Sequence, residues 1–199
     1  MARPSDPNKL QQIKQATVET IVRLGLENTT ISIIAREAGV SEGYLYRHYA
    51  SKQELIHSLF QERMESILAQ INSILEQDNM SLAQVMESYI TGVVTRAIEA
   101  PDASKFYYTL LHNYNFEVSA EQKASTLKTL QRLQALGLKN NQVNPDISLE
   151  QLYLSSFVLT IDYVHLKMRK LVSPEGLTLT DIPVITRHVL RTLGYNNLK

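Results

Sequence analysis

Apolar residues recur along this chain at intervals of three and four, and no stretch shows the sustained period-two alternation of strands, so the expected class is all-α. The first helix is expected over about residues 9–24, with Leu10, Ile13, Thr17, Ile21 and Leu24 on one face and Gly25 free to take the left-handed conformation that ends it. A second follows Thr30, with Ile31, Ile34, Ala35 and Ala38 at i, i+3, i+4 and i+7. Gly39, Val40 and Ser41 leave room only for a tight turn, and a short third helix over about 42–49 comes next. From residue 52 to about 77, Leu55, Leu59, Phe60, Ile67, Leu68, Ile71, Ile74 and Leu75 describe one long helix of roughly 40 Å. Further helices are expected over about 81–99, 103–112, 119–136, 148–170 and 180–193, about nine in all. Residues 137–144 and 171–177, rich in Gly, Asn, Ser and Pro, are the clearest loops.

Several starts carry a Ser followed three residues later by Glu or Gln, a reciprocal cap that satisfies amides at a helix end: Ser51 with Glu54, Ser81 with Gln84, Ser119 with Gln122, and Ser148 with Gln151. These starts follow from local chemistry alone.

Two short helices joined by a three-residue turn containing Gly match the helix-turn-helix unit, whose second helix lies in the DNA major groove. Ala35 and Ala38 supply the small side chains needed where the helices cross, although such pairs also occur in proteins that never meet DNA. Steps of 100° around the third helix turn Leu45 and Tyr49 inward and leave Gly43, Tyr44, Tyr46 and Arg47 outside. Arg47 could pair with guanine or hold a phosphate, and the tyrosines could donate to phosphates or touch thymine methyls. Gly43 would let the backbone approach closely, while Glu42 could accept from a cytosine amino group or simply favour the helix dipole.

The formal net charge is zero, from 20 basic and 20 acidic residues, yet residues 1–52 hold seven basic against five acidic side chains. That tilt favours a nucleic-acid partner only weakly. The absence of cysteine excludes disulfides and thiolate zinc sites and is compatible with a cytoplasmic address. No signal-peptide pattern is visible, and the most hydrophobic segment, 152–166, is broken by Ser155, Ser156 and Asp162, so neither export nor a membrane partner is expected. No phosphate loop, nucleophile motif or HExxH pattern occurs, and His48, His57, His112, His165 and His188 are scattered. An enzyme, a metal site and a cofactor are therefore not expected.

The run from Gly25 through Leu55 adds far more, with its Thr29-Thr30-Ile31 start, Ala38-Gly39-Val40-Ser41 turn, Leu45-Tyr46-Arg47-His48-Tyr49 helix and Ser51-Lys52 exit. In register, it resembles the amino-terminal signature of the tetracycline-repressor (TetR) family of regulators. The resemblance covers about residues 9–56 and implies a three-helix DNA-binding domain over 1–51, followed by a helical ligand-binding and dimerisation domain over 52–199. Carried onto matching positions, it implies that Tyr46, His48 and Lys52 hold phosphates, that Ser32 and the segment Ser41, Glu42, Gly43 and Tyr44 face base edges or flanking backbone, and that Thr30 caps the second helix beside a phosphate. Tyr49 stands where the family most often has Phe, so its hydroxyl needs a partner or a route to water.

The resemblance also implies a homodimer formed by the last two long helices, with Phe157, Ile161, Val164, Ile185, Val189 and Leu193 expected in the seam and a palindromic operator as DNA partner. A small, largely apolar or aromatic effector is expected among the polar groups set in apolar helices: Tyr89, Arg96, Tyr107, His112, Asp162 and Tyr163. Most such tyrosines in helical proteins are core residues with satisfied hydroxyls. Asp162 is costly unless paired, by Arg96 or His165, or facing a cavity or the dimer seam. The alternative is a DNA-bound protein that docks a protein partner and takes no inducer.

Overall fold

A computed structural model describes residues 7–171 and 173–194. Among the described residues every regular element is helical: α1 (Pro7–Leu24), α2 (Ile31–Glu37), α3 (Glu42–Tyr46), α4 (Lys52–Leu75), α5 (Leu82–Glu99), α6 (Pro101–Leu111), α7 (Ala120–Lys139), α8 (Leu149–Tyr153), α9 (Leu159–Met168) and α10 (Asp181–Thr192). A π-helical turn, Leu154–Val158, joins α8 to α9 with helical backbone throughout, so the three pieces form one rod. That widened turn, in which the Leu159 N–H reaches back to the Leu154 carbonyl, is invisible to a 3.6-residue period.

The caps act as the spacing requires. Ser81 and Ser148 each form a complete reciprocal box with Gln84 and Gln151. Ser119 accepts from the Gln122 N–H at 3.1 Å, and Ser51 accepts from the Glu54 N–H at the same distance while Glu54 takes the Ala50 N–H at 2.6 Å. Gly25 and Gly39 both have positive φ, +84° and +66°, which their turns require.

The chain divides into two compact units: the first runs through Arg63 and includes Asp102–Asn113, and the second holds Met64–Pro101 and the rest. In the first unit Ile13, Ile21, Ile34 and Leu45 are sealed from solvent, and buried Ala35 and Ala38 let α2 approach its neighbours. Complete burial of a side chain such as Leu45 contributes about 2 kcal/mol.

The core of the second unit gathers Val85, Met86, Ile90 and Val94 of α5, Leu130 and Leu133 of α7, Val164 of α9, and Ile185, Val189 and Leu190 of α10. This overturns one expectation. Of the six residues expected in the seam, Val164, Ile185, Val189 and Leu193 are fully buried within the protomer and cannot face a symmetry mate, because α10 spends its apolar stripe on α5, whereas Phe157 and Ile161 are half-buried. Leu154, Leu171, Leu179 and Val184 are exposed apolar side chains on and beside these last helices, at 56%, 63%, 58% and 47%.

Polar groups of the second unit also turn inward. Asp181, at the start of α10, pairs with Lys167 of α9 at 3.2 Å, takes the Thr178 N–H at 2.8 Å, and accepts from the Tyr163 hydroxyl at 3.3 Å. Burial alone would raise the Asp181 carboxyl, but the Thr178 N–H and the Lys167 ammonium outweigh it and hold the pKa below the ordinary aspartate value. Burial and the Asp181 charge push the Tyr163 hydroxyl up.

Candidate nucleic-acid interface

The face is built on two caps. Thr30 accepts the Ile33 N–H at 3.3 Å and starts α2; Ser41 accepts the Tyr44 N–H at 3.2 Å and starts α3. Each hydroxyl satisfies an amide otherwise left over at the helix start, and each residue remains exposed. Between them the chain reverses at Gly39, whose amide bonds back to the Arg36 carbonyl at 3.2 Å. The short α3 is then anchored by one side chain, Leu45, which has no exposed surface. With that anchor fixed, 100° per residue leaves Glu42, Gly43, Tyr46 and Arg47 exposed and Tyr44 and His48 half-buried at the edges.

All ten residues expected to meet DNA (Thr30, Ser32, Ser41, Glu42, Gly43, Tyr44, Tyr46, Arg47, His48 and Lys52) lie in the first unit, and none is buried. Tyr46 is 54% exposed. A Cβ built on Gly43 would meet nothing within 4 Å, so this position presents open backbone to whatever approaches. Tyr49, half-buried, has its route to water.

The rings are organised by charge. Tyr44 lies 4.9 Å from the His48 ring, and two cations stand over it, Arg47 Cζ at 5.0 Å and Lys9 Nζ at 5.5 Å from its centroid. Both fall within the range of cation–π attraction. Lys9 sits in the first turn of α1, and sequence reasoning passed over it because nothing local links it to Tyr44.

Lys52 has a more internal place than its expected phosphate role. Its ammonium donates to the Leu26 and Thr29 carbonyls, both at 2.8 Å, tying the start of α4 to the turn between α1 and α2. A lysine has three N–H donors, so one is left for an outside acceptor.

The six residues expected to bind an effector are divided between the units. Tyr107 and His112 belong to the first: the Tyr107 hydroxyl donates to the Leu59 carbonyl at 3.3 Å, and the exposed His112 stacks on Tyr108 at 4.0 Å. Tyr89, Arg96, Asp162 and Tyr163 belong to the second. Tyr89 is buried with its ring 4.8 Å from Phe157, Asp162 buries its Oδ1, Tyr163 donates to Asp181, and Arg96 lies exposed in the last turn of α5. The second unit also has a groove of about 550 Å³ lined by Gln70 of α4 and by Gln84, Glu87, Ser88, Thr91 and Thr95 of α5. None of the six lines it, and its polar walls carry no signal in an apolar pattern.

Among the described residues there is no cluster of three or more His, Cys, Asp or Glu able to hold a metal, and no helix is long and apolar enough to cross a membrane.

Residues 13–59 match the family model described as bacterial regulatory proteins, tetR family. The nucleoid occlusion factor SlmA of Aliivibrio fischeri (strain MJ11) is 36% identical over 86 residues, covering 43% of this chain and 44% of that protein. The HTH-type transcriptional regulator BetI of Vibrio atlanticus (strain LGP32) is 31% identical over 124 residues, covering 61% of this chain and 58% of the relative. The matches thus span about half the length of these curated relatives. A crystal structure of the transcriptional regulator FadR from Bacillus subtilis in complex with stearoyl-CoA has the same fold, with a TM-score of 0.71 at 18% identity over 95% of this chain and 99% of that one.

Proposed function

We propose that this chain, whose residues 13–59 match the family model of bacterial regulatory proteins of the tetR family, is a transcriptional regulator of that family and acts as a homodimeric, cytoplasmic repressor that holds a palindromic operator and is released by a small, largely apolar or aromatic effector. The observation that carries the reading is the solvent-facing surface of α2 and α3, where Thr30, Ser32, Ser41, Glu42, Gly43, Tyr44, Tyr46, Arg47 and His48 surround one buried anchor, Leu45. The division of labour is electrostatic and geometric. Tyr46, His48, Lys52 and Thr30 hold phosphates and set the register, while Ser32, Ser41, Glu42, Gly43, Tyr44 and Arg47 lie toward base edges.

One such module makes few contacts, and its binding would be weak and strongly salt-dependent. A two-fold pair supplies two recognition helices about one DNA turn apart and doubles the contact. Exposed Leu154, Leu179 and Val184 supply apolar surface for that pairing. The effector reading draws support from the fold shared with a regulator solved in complex with stearoyl-CoA, and Tyr89, Arg96, Asp162 and Tyr163 of the second unit are its proposed contacts. Release would then be a population shift: the effector favours an arrangement in which α4 carries the recognition helices to a different spacing, and DNA affinity falls by the effector's differential affinity for the two states.

A second reading is a DNA-bound protein that docks a protein partner without an inducer; a relative named a nucleoid occlusion factor matches this chain over 86 residues. Selection of bound sequences from a random duplex pool tests the operator and the dimer together. An enriched palindrome is expected, and a pool that stays random overturns the reading. Melting of the protein against hydrophobic and aromatic compounds separates the two mechanisms: concentration-dependent stabilisation supports an effector, and uniform silence supports docking.

A further inference from the structure

We infer that Lys9 is an additional DNA-phosphate contact, delivered from α1 to the face of α3 by the Tyr44 ring; the inference rests on the DNA-binding reading above and extends its contact set to a helix that the motif does not include. Tyr44 carries two cations at once, Arg47 from its own helix at 5.0 Å and Lys9 from the first turn of α1 at 5.5 Å. The two positive groups are therefore no farther apart than the sum of those distances. Neither forms an ion pair among the described residues, and both side chains belong to exposed residues.

Two like charges gathered on one ring repel each other, modestly across solvent, and the aromatic quadrupole offsets part of that repulsion. A polyanion laid along the face removes the rest, and it gains twice because both ammonium and guanidinium are already in place when it arrives. Tyr44 is itself half-buried and backed by the His48 ring at 4.9 Å. Its ring is thus held on two sides and serves as a fixed rest for a lysine stem that would otherwise sweep solvent. Tyr44 is in this sense a positioning residue for Lys9 as well as a member of the face.

The geometry also separates Lys9 from the other lysine of this unit's face. Lys52 spends two of its donors on the Leu26 and Thr29 carbonyls, whereas among the described residues the Lys9 ammonium meets a ring face and no hydrogen-bond acceptor, which leaves its three donors to phosphate oxygens.

The test is a salt titration of the full-length protein on the duplex selected above, read as the slope of log affinity against log salt concentration. Each phosphate neutralised contributes close to one unit of slope. Lys9→Ala and Lys9→Gln are both expected to lower the slope by about one, equally on specific and random duplexes, with unchanged melting temperature; Lys9→Arg is expected to restore it. A wild-type slope in both neutral variants overturns the inference and leaves the DNA-binding reading intact. Failure of the unmodified protein to bind any duplex overturns both.

Discussion

The two units treat their polar side chains in opposite ways. On α3 of the first unit, Tyr46 and Arg47 project into solvent around a single buried leucine. On α9 and α10 of the second unit, Asp181 is buried and Tyr163 and Lys167 are half-buried, and both bond to Asp181. These helices read alike as sequence, with polar groups set among apolar ones. The lesson is that helical spacing alone does not say whether an ionisable residue is free to bind, because the packed chain decides whether it finds an internal partner. An outward group costs little to fold and is free to bind; an inward group costs its desolvation and must be repaid within the protein.

That contrast can be broken by substitution. The largest effect is expected at Asp181: Asp181→Ala leaves the Lys167 ammonium without its carboxylate, with Ser173 Oγ as its bonded partner, and strands the Thr178 N–H, and should cost about 3 kcal/mol in denaturant unfolding. The pairing of Lys167→Met with Asp181→Leu should recover much of it. The same carboxyl sets a pH dependence. Because its folded pKa is depressed, its stabilisation is complete above the ordinary aspartate range and is lost as the pH falls through the lowered value. Asp181→Asn should therefore show a shallower loss of stability on acidification than wild type. An unchanged acid limb would show that the pair does not stabilise the fold.

Gly137→Ala tests the packing of the same unit. A Cβ there would stand 2.7 Å from Val143 Cγ1 and 3.2 Å from Leu82 Cδ2, so overpacking of about 2 kcal/mol is expected in thermal or denaturant melts. Neutral melting would mean that the α7 end yields easily.

Lys52 sharpens the comparison because it belongs to both classes. Lys52→Ala should lower stability by about 1.5 kcal/mol through its two carbonyl bonds and also weaken operator binding in a gel-shift titration. A loss of binding without any loss of stability would return Lys52 to a purely external role.

Tyr46→Ala closes the series. It should leave the melting temperature and dimerisation unchanged while weakening operator binding roughly tenfold, the scale of one bond to a charged phosphate. Undiminished affinity at fixed salt would remove Tyr46 from the interface.

The sequence by itself determined what depends on neighbours three or four positions away. The starts at Ser81, Ser119 and Ser148, the turns at Gly25 and Gly39, and the outward set around Leu45 are all consequences of helical pitch and local capping. Only the tertiary structure decided which apolar stripe would be consumed internally. The Ile185 and Val189 face of α10 is equally good for a symmetry mate or for α5, and α5 took it. The same holds for Lys9 above Tyr44, Lys52 on the Leu26 and Thr29 carbonyls, and the π turn that contains Phe157. Pitch is a property of adjacent residues, whereas the choice of partner is made between segments tens of residues apart, where the periodic pattern of either one is the same whichever neighbour it meets.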